Sequence, residues 1–99
     1  MPEVFQPALR KVCGVTRPGD AVHAVRAGAN AIGLVFVPRS VRAVTAESAR
    51  KVAAALPAGV LKVGVFVSER PQVVADTVRR VGLDVVQLHG HESPGDCDS

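Results

Sequence analysis

At 99 residues the chain is long enough for one small domain and too short for two. Apolar residues make up 47% of it, mostly Val, Ala and Leu with three Phe and no Trp or Tyr, which fits helices packed on a parallel sheet and argues against stacking on single-stranded nucleic acid. The net charge of +3 comes mainly from nine arginines spread along the chain, so it suits a small anionic substrate, or an ordinary solvated surface, without suggesting DNA or a membrane.

The first ten residues, MPEVFQPALR, read as a leader without the apolar core of a signal peptide. Val12 to Val15 forms the first apolar run and predicts a strand. Pro18 suits the first turn of a helix, with Asp20 near its positive end. That helix is expected to reach about Ala27, stop at Gly28, and bury Ala21, Val22, Val25 and Ala29.

Ala31 to Val37, AIGLVFV, is continuously apolar, as in strands covered on both faces. A loop containing Arg39, Ser40 and Arg42 follows. Thr45 is expected to cap a second helix that Pro57 ends. Val60 to Val67 predicts the third strand. Ser68 is the expected cap of a third helix that has Pro71 in its first turn and Gly82 at its close. Asp84 to His89 predicts the fourth strand, and Ser93-Pro94 resembles the start of a fourth helix.

This repeated strand–helix unit fits either a piece of a (βα)₈ barrel or a small doubly wound sheet. Length alone favours the second, since a complete barrel needs roughly 200 residues or more. The polar strand residues favour the first. Lys11 shares a strand face with Cys13, and Gln87 shares one with His89, because side chains alternate along a strand. Lys62 is expected to behave similarly in the third strand. A barrel lumen accommodates such groups, whereas unpaired burial beneath a helix layer costs about 1–3 kcal/mol each.

Cys13 and His89 also lie toward the C-terminal ends of their strands, and Arg42 lies in the loop after the second. In a barrel those ends form the rim that carries active sites. Without further context, Cys13 reads as a small buried hydrophobe and Arg42 as solvated surface. Asp20, Asp84 and Glu92 read as caps or surface groups, and His23 and His91 as surface. Two cysteines, Cys13 and Cys97, make no disulfide framework. No metal site and no cofactor is expected. No apolar run approaches the roughly 20 residues that span a bilayer, so the expected compartment is the cytoplasm.

The stretches KVCGVTRPGDA, GANAIGLVFVPRSVR, LKVGVFV and GLDVVQLHGHESP resemble, in order and spacing, the N-terminal half of phosphoribosylanthranilate isomerase, a (βα)₈ barrel of tryptophan biosynthesis. The resemblance implies that residues 11–99 hold the first four βα units of such a barrel, cut within the fourth helix, behind a leader of residues 1–10. It implies an Amadori rearrangement of an N-phosphoribosyl anthranilate, with Cys13 as the base that removes the sugar C2 proton. Arg42 would then meet the anthranilate carboxylate, and His89 would position substrate. The family's general acid and its phosphate-binding loops belong to later strands.

Two functions compete on this reading. One is a truncated or split isomerase that is inactive alone. The other is a non-catalytic half-barrel or assembly module that needs a complementary C-terminal half or a second copy of itself. A flavodoxin-like domain would need a phosphate-cradling glycine loop after the first strand, which C-G-V-T-R-P-G matches poorly. Unpaired parallel edges would make an isolated half unstable as an open monomer.

Overall fold

The computed structural model describes residues 9–89, with no side-chain description for His89. The elements alternate without exception: β1 (Lys11–Cys13), α1 (Pro18–Arg26), β2 (Ala31–Val35), α2 (Ala46–Ala54), β3 (Leu61–Val67), α3 (Pro71–Val81) and β4 (Val85–His89). The leader up to residue 8, Gly90, His91, Glu92, the Ser93-Pro94 helix start and Cys97 lie outside the described residues.

Every strand pairs in parallel with the next, in the order β1-β2-β3-β4. A doubly wound sheet reverses its strand order and carries helices on both faces. Here buried residues of all three helices, Ala21, Ala49, Val52 and Val81 among them, join one core with Ile32, Leu34 and Phe66. The helices therefore cover one face in sequence order, and the other face is concave. That is the winding of a barrel wall.

Local signals explain the element ends. Thr45 accepts a hydrogen bond from the Ser48 N–H at 3.1 Å, capping α2. Gly82 closes α3 in the left-handed region, at φ 84°, with its N–H bonded to the Val78 carbonyl. Ser68, however, does not cap α3. The cap position is Arg70, whose side chain makes no capping bond, and Pro71 follows it. Proline demands extended backbone in the residue before it. Arg70 supplies this at φ −72° and ψ 142°, so the chain turns earlier, at Ser68 with φ 50°.

Lys62 also departs from expectation. Val65 and Val67 pack in the concave cluster with Cys13 and Val35, which by alternation puts Lys62 on the helix side. It sits at the start of β3, where its ammonium lies 3.4 Å from the Asp84 carboxylate. The same carboxylate accepts the Lys62 backbone N–H at 2.9 Å, and the Asp84 N–H donates to the Lys62 carbonyl at 2.8 Å. Asp84 is thus a tie between strand starts at the end of the sheet opposite the rim. The Lys62 N–H bond holds its carboxyl below the ordinary value against some desolvation, and the Lys62 charge adds to the effect.

Candidate functional site: the C-terminal rim of the concave face

Cys13 is the last residue of β1, and its sulfur rests over Gly33, its register partner on β2. A Cβ on Gly33 would lie 2.6 Å from Sγ and 3.1 Å from the Cys13 Cα, so only glycine leaves room for the cysteine there. The side chain is 8% exposed and packs with Val35, Val37 and Val65. Cys13 is disulfide-bonded in this structure, so only its reduced form can take or give a proton.

Gly14 then breaks the strand at φ 88°, while its N–H and that of Val15 both donate to the Gly33 carbonyl. The conformation turns the chain toward α1 and bares one side of the backbone. Arg42 fills that side. A Cβ on Gly14 would lie 2.5 Å from the Arg42 Cδ and 3.1 Å from Nη1, so the guanidinium is laid directly over the residue after Cys13. The β2–α2 loop holds it there: the Ser40 hydroxyl accepts the Arg42 N–H at 3.1 Å, and the Val44 N–H donates to the Val35 carbonyl at 2.9 Å.

Cys13, Gly14 and Arg42 line one cavity of about 510 Å³ with Val12, Asp20 and His23. It runs along the β1 edge, which has no partner strand among the described residues. Asp20 and His23 are exposed there, and Asp20 is paired with Arg17 at 3.4 Å, in keeping with surface roles. His89 ends β4, in register with Val67 on β3, so it shares the C-terminal end of the sheet with Cys13 but stands across two intervening strands. The fold therefore brings Cys13 and Arg42 into contact range of one space, and places His89 on the same rim at the opposite edge.

Two features of the concave face, one at this rim and one below it, escaped the sequence reading. Ser68, at the end of β3, holds a left-handed backbone that non-glycine residues rarely adopt. It lines a second rim cavity of about 350 Å³ with Val37, Arg39 and Val67. The Pro71 position was the available signal, since it requires an extended residue before the helix. The other feature is a hydrogen bond of 2.6 Å from the Lys11 ammonium to the Gln87 side-chain carbonyl, across 76 residues and the width of the sheet. Strand alternation had put both residues on lumen faces, but nothing in one dimension says that they meet.

Among the described residues no group of three His, Cys, Asp or Glu could hold a metal ion, and no helix is long and apolar enough to cross a membrane.

Comparison with known proteins agrees with this geometry. The family model for N-(5'-phosphoribosyl)anthranilate isomerase matches residues 10–98. The enzyme of that name from Pseudomonas savastanoi pv. phaseolicola is 50% identical over 88 residues, which cover 89% of this chain and 43% of the relative. The crystal structure of the Thermotoga maritima enzyme superposes with a TM-score of 0.81 at 44% identity, covering 91% of this chain and 44% of that one. A further structure of this isomerase, in complex with reduced 1-(o-carboxyphenylamino)-1-deoxyribulose 5-phosphate, gives a TM-score of 0.81 at 44% identity and covers 91% and 47% of the two chains. The chain thus spans less than half the length of the relatives it matches.

Proposed function

Because this chain belongs to the N-(5'-phosphoribosyl)anthranilate isomerase family, we propose that it carries the general-base side of an aldose–ketose isomerisation in tryptophan biosynthesis. The substrate is an N-(5-phosphoribosyl)anthranilate, and the product is the corresponding 1-(2-carboxyphenylamino)-1-deoxyribulose 5-phosphate. Ring opening gives a protonated Schiff base at the sugar C1. With its disulfide reduced, the Cys13 thiolate removes the C2 proton, and the electron pair of that C–H bond flows toward the iminium nitrogen. The resulting enolamine takes a proton at C1 and relaxes to the amino-ketose.

The observation that carries this reading is the placement of Cys13: it is nearly buried at the end of β1, with the Arg42 guanidinium across the adjoining Gly14. A cation beside a thiol favours the thiolate, which is the form that acts as a base near neutral pH. Arg42 also suits a charge-assisted contact with the anthranilate carboxylate. His89, at the other edge of the rim, is assigned to positioning the substrate. The acid that assists ring opening and the phosphate-binding loops are assigned to a further four βα units, supplied by more of the same polypeptide or by a second chain. A cytoplasmic enzyme that needs no cofactor or metal fits this chemistry, which exchanges only protons.

A second reading is a non-catalytic assembly module. Leu61 and Val85, 38% and 39% exposed at the lower end of the concave face, favour it. An isomerase assay on the chain alone and mixed with the C-terminal half of a relative separates the two. On the enzymatic reading the mixture turns over, the chain alone does not, and Cys13→Ala in the mixture lowers kcat at least 10²-fold. Association of the halves without turnover would leave the assembly module.

A further inference from the structure

Val37, just beyond β2, and Val67, at the end of β3, belong to the concave apolar cluster, and both line the rim cavity of about 350 Å³. Pro38, Arg39 and Ser68 complete its lining. On the β2 side, the Ser40 N–H donates to the Val37 carbonyl at 2.9 Å, closing a turn with Pro38 in its second position and Arg39 in its third. On the β3 side, Phe66 enters the helix-side core and Val67 the concave cluster, so alternation would return Ser68 to the helices. The left-handed backbone of Ser68, at φ 50°, breaks that alternation, and Ser68 lines the same cavity as Val67. A non-glycine residue held in this region carries backbone strain, and such strain collects at functional sites.

We propose that this cavity receives the aromatic ring of the anthranilate substrate, and that Ser68 is a specificity-determining residue in its wall. The inference rests on the proposed isomerisation with Cys13 as the base, and it gives a place to the part of the substrate that the reaction leaves unchanged. Direction decides between the two rim cavities. Barrel phosphate sites are built from the loops after strands seven and eight. The eighth strand closes against the first, on the β1 edge that has no partner among the described residues. With the sugar C2 at Cys13 on β1 and the phosphate beyond that edge, C1, its nitrogen and the ring continue the other way, over β2 and β3. The carboxylate is ortho to the nitrogen, so it stays near C1 on the side of Arg42, which lies over Gly14. The far side of the ring then points on to the cavity. Its walls suit a ring: Val37, Pro38 and Val67 are apolar, and Arg39 brings a planar guanidinium of the kind that stacks on aromatic faces. Its volume lies within the range of small-molecule pockets, about 300–1,000 Å³.

The test is a titration of the full isotope-labelled chain, under reducing conditions, with anthranilate itself, followed by the backbone amide signals. Free anthranilate lacks the sugar and the phosphate, so a dissociation constant on the order of 1 mM is expected. Saturable shifts are expected at the amides of Val37, Arg39, Val67 and Ser68. Val67→Phe, which fills the cavity from a regular strand backbone, should weaken binding by about 10-fold. Ser68→Gln, at an exposed position, replaces it if the phenylalanine variant does not fold. Ser68→Gly opens the cavity and removes the backbone strain, so it should keep the melting temperature and favour a ring-methylated anthranilate over anthranilate by about threefold relative to the parent. No saturable shift, shifts confined to Gly14 and Arg42, or an unchanged affinity in the filled variant overturns the proposal. An unchanged ring preference in Ser68→Gly overturns the role of Ser68. This readout needs no turnover. Loss of the base assignment would show instead as an active Cys13→Ala enzyme in the mixture of halves, whatever the titration gives.

Discussion

On the helix-covered face of the sheet, Ile32, Leu34 and Phe66 are at most 1% exposed and meet Ala21, Val52 and Val81 from three helices in one continuous core. On the concave face the apolar cluster is smaller, Cys13, Val35, Val37 and Val65, with Val67 at its margin. There the strands also carry a lysine and a glutamine bonded to each other, and a glycine that makes space for a sulfur. The same strands build both faces, alternating residue by residue. The comparison shows a division of labour inside each strand: one set of positions supplies stability, and the next set supplies a place for chemistry.

Substitutions can break that division. The largest effect is expected from Phe66→Ala, which empties the helix-side core and its stacked contact with Phe36 at 5.1 Å between ring centroids. A loss of about 3–5 kcal/mol, read from the urea midpoint, is expected. On the concave face, Gly33→Ala forces a methyl against the Cys13 sulfur and backbone. It should cost about 1–3 kcal/mol, and the alkylation kinetics of reduced Cys13 should change with it, whereas Phe66→Ala leaves those kinetics intact in the molecules that remain folded. A comparable cost for Gly33→Ala with unchanged cysteine reactivity would mean that the two faces are not separable in this way.

Smaller changes sharpen the comparison. Thr45→Ala removes the α2 cap on the helix side and should cost about 1 kcal/mol, with no effect on the cysteine. The smallest effect is expected at Asp84, tied to Lys62 away from the rim. Its carboxyl is held below the ordinary value in the folded protein, so the stabilisation is present above the unfolded carboxylate pKa and is lost as pH falls through the folded one. Asp84→Asn should therefore lower the melting temperature slightly at neutral pH and flatten its decline on acidification. An unchanged acid limb would remove the electrostatic role assigned to that tie.

How much was legible in sequence differs between the same two faces. The helix face was readable because its signals are local. AIGLVFV announces a covered strand, Thr45 announces a cap, and Pro57 and Gly82 announce stops. Ser68 misled because a serine before a helix is a good cap only if the following residues are free to bend, and Pro71 removes that freedom. Lys62 misled because a polar residue in a strand was taken to face a lumen, whereas it had a carboxylate partner from the next strand start. On the concave face, alternation put Lys11 on the face of Cys13, and the Lys11–Gln87 hydrogen bond agrees with a lumen-side Gln87. The expectation that the cysteines make no disulfide framework missed the disulfide at Cys13, because that bond requires a spatial proximity that spacing does not reveal.

By itself the sequence determined the order of strands and helices, the alternation that separates two faces, and the motif K-x-C-G with its later companions, because each depends on neighbours within a few residues. The sequence also favoured a barrel wall over a doubly wound sheet, through its polar strand residues and its family motifs. The strand order with helices on one face bears that out. The tertiary structure added the contacts. It alone decided that Arg42 lies over Gly14 and that Lys11 meets Gln87, because those contacts join residues far apart in the chain and exist only once the sheet has curved.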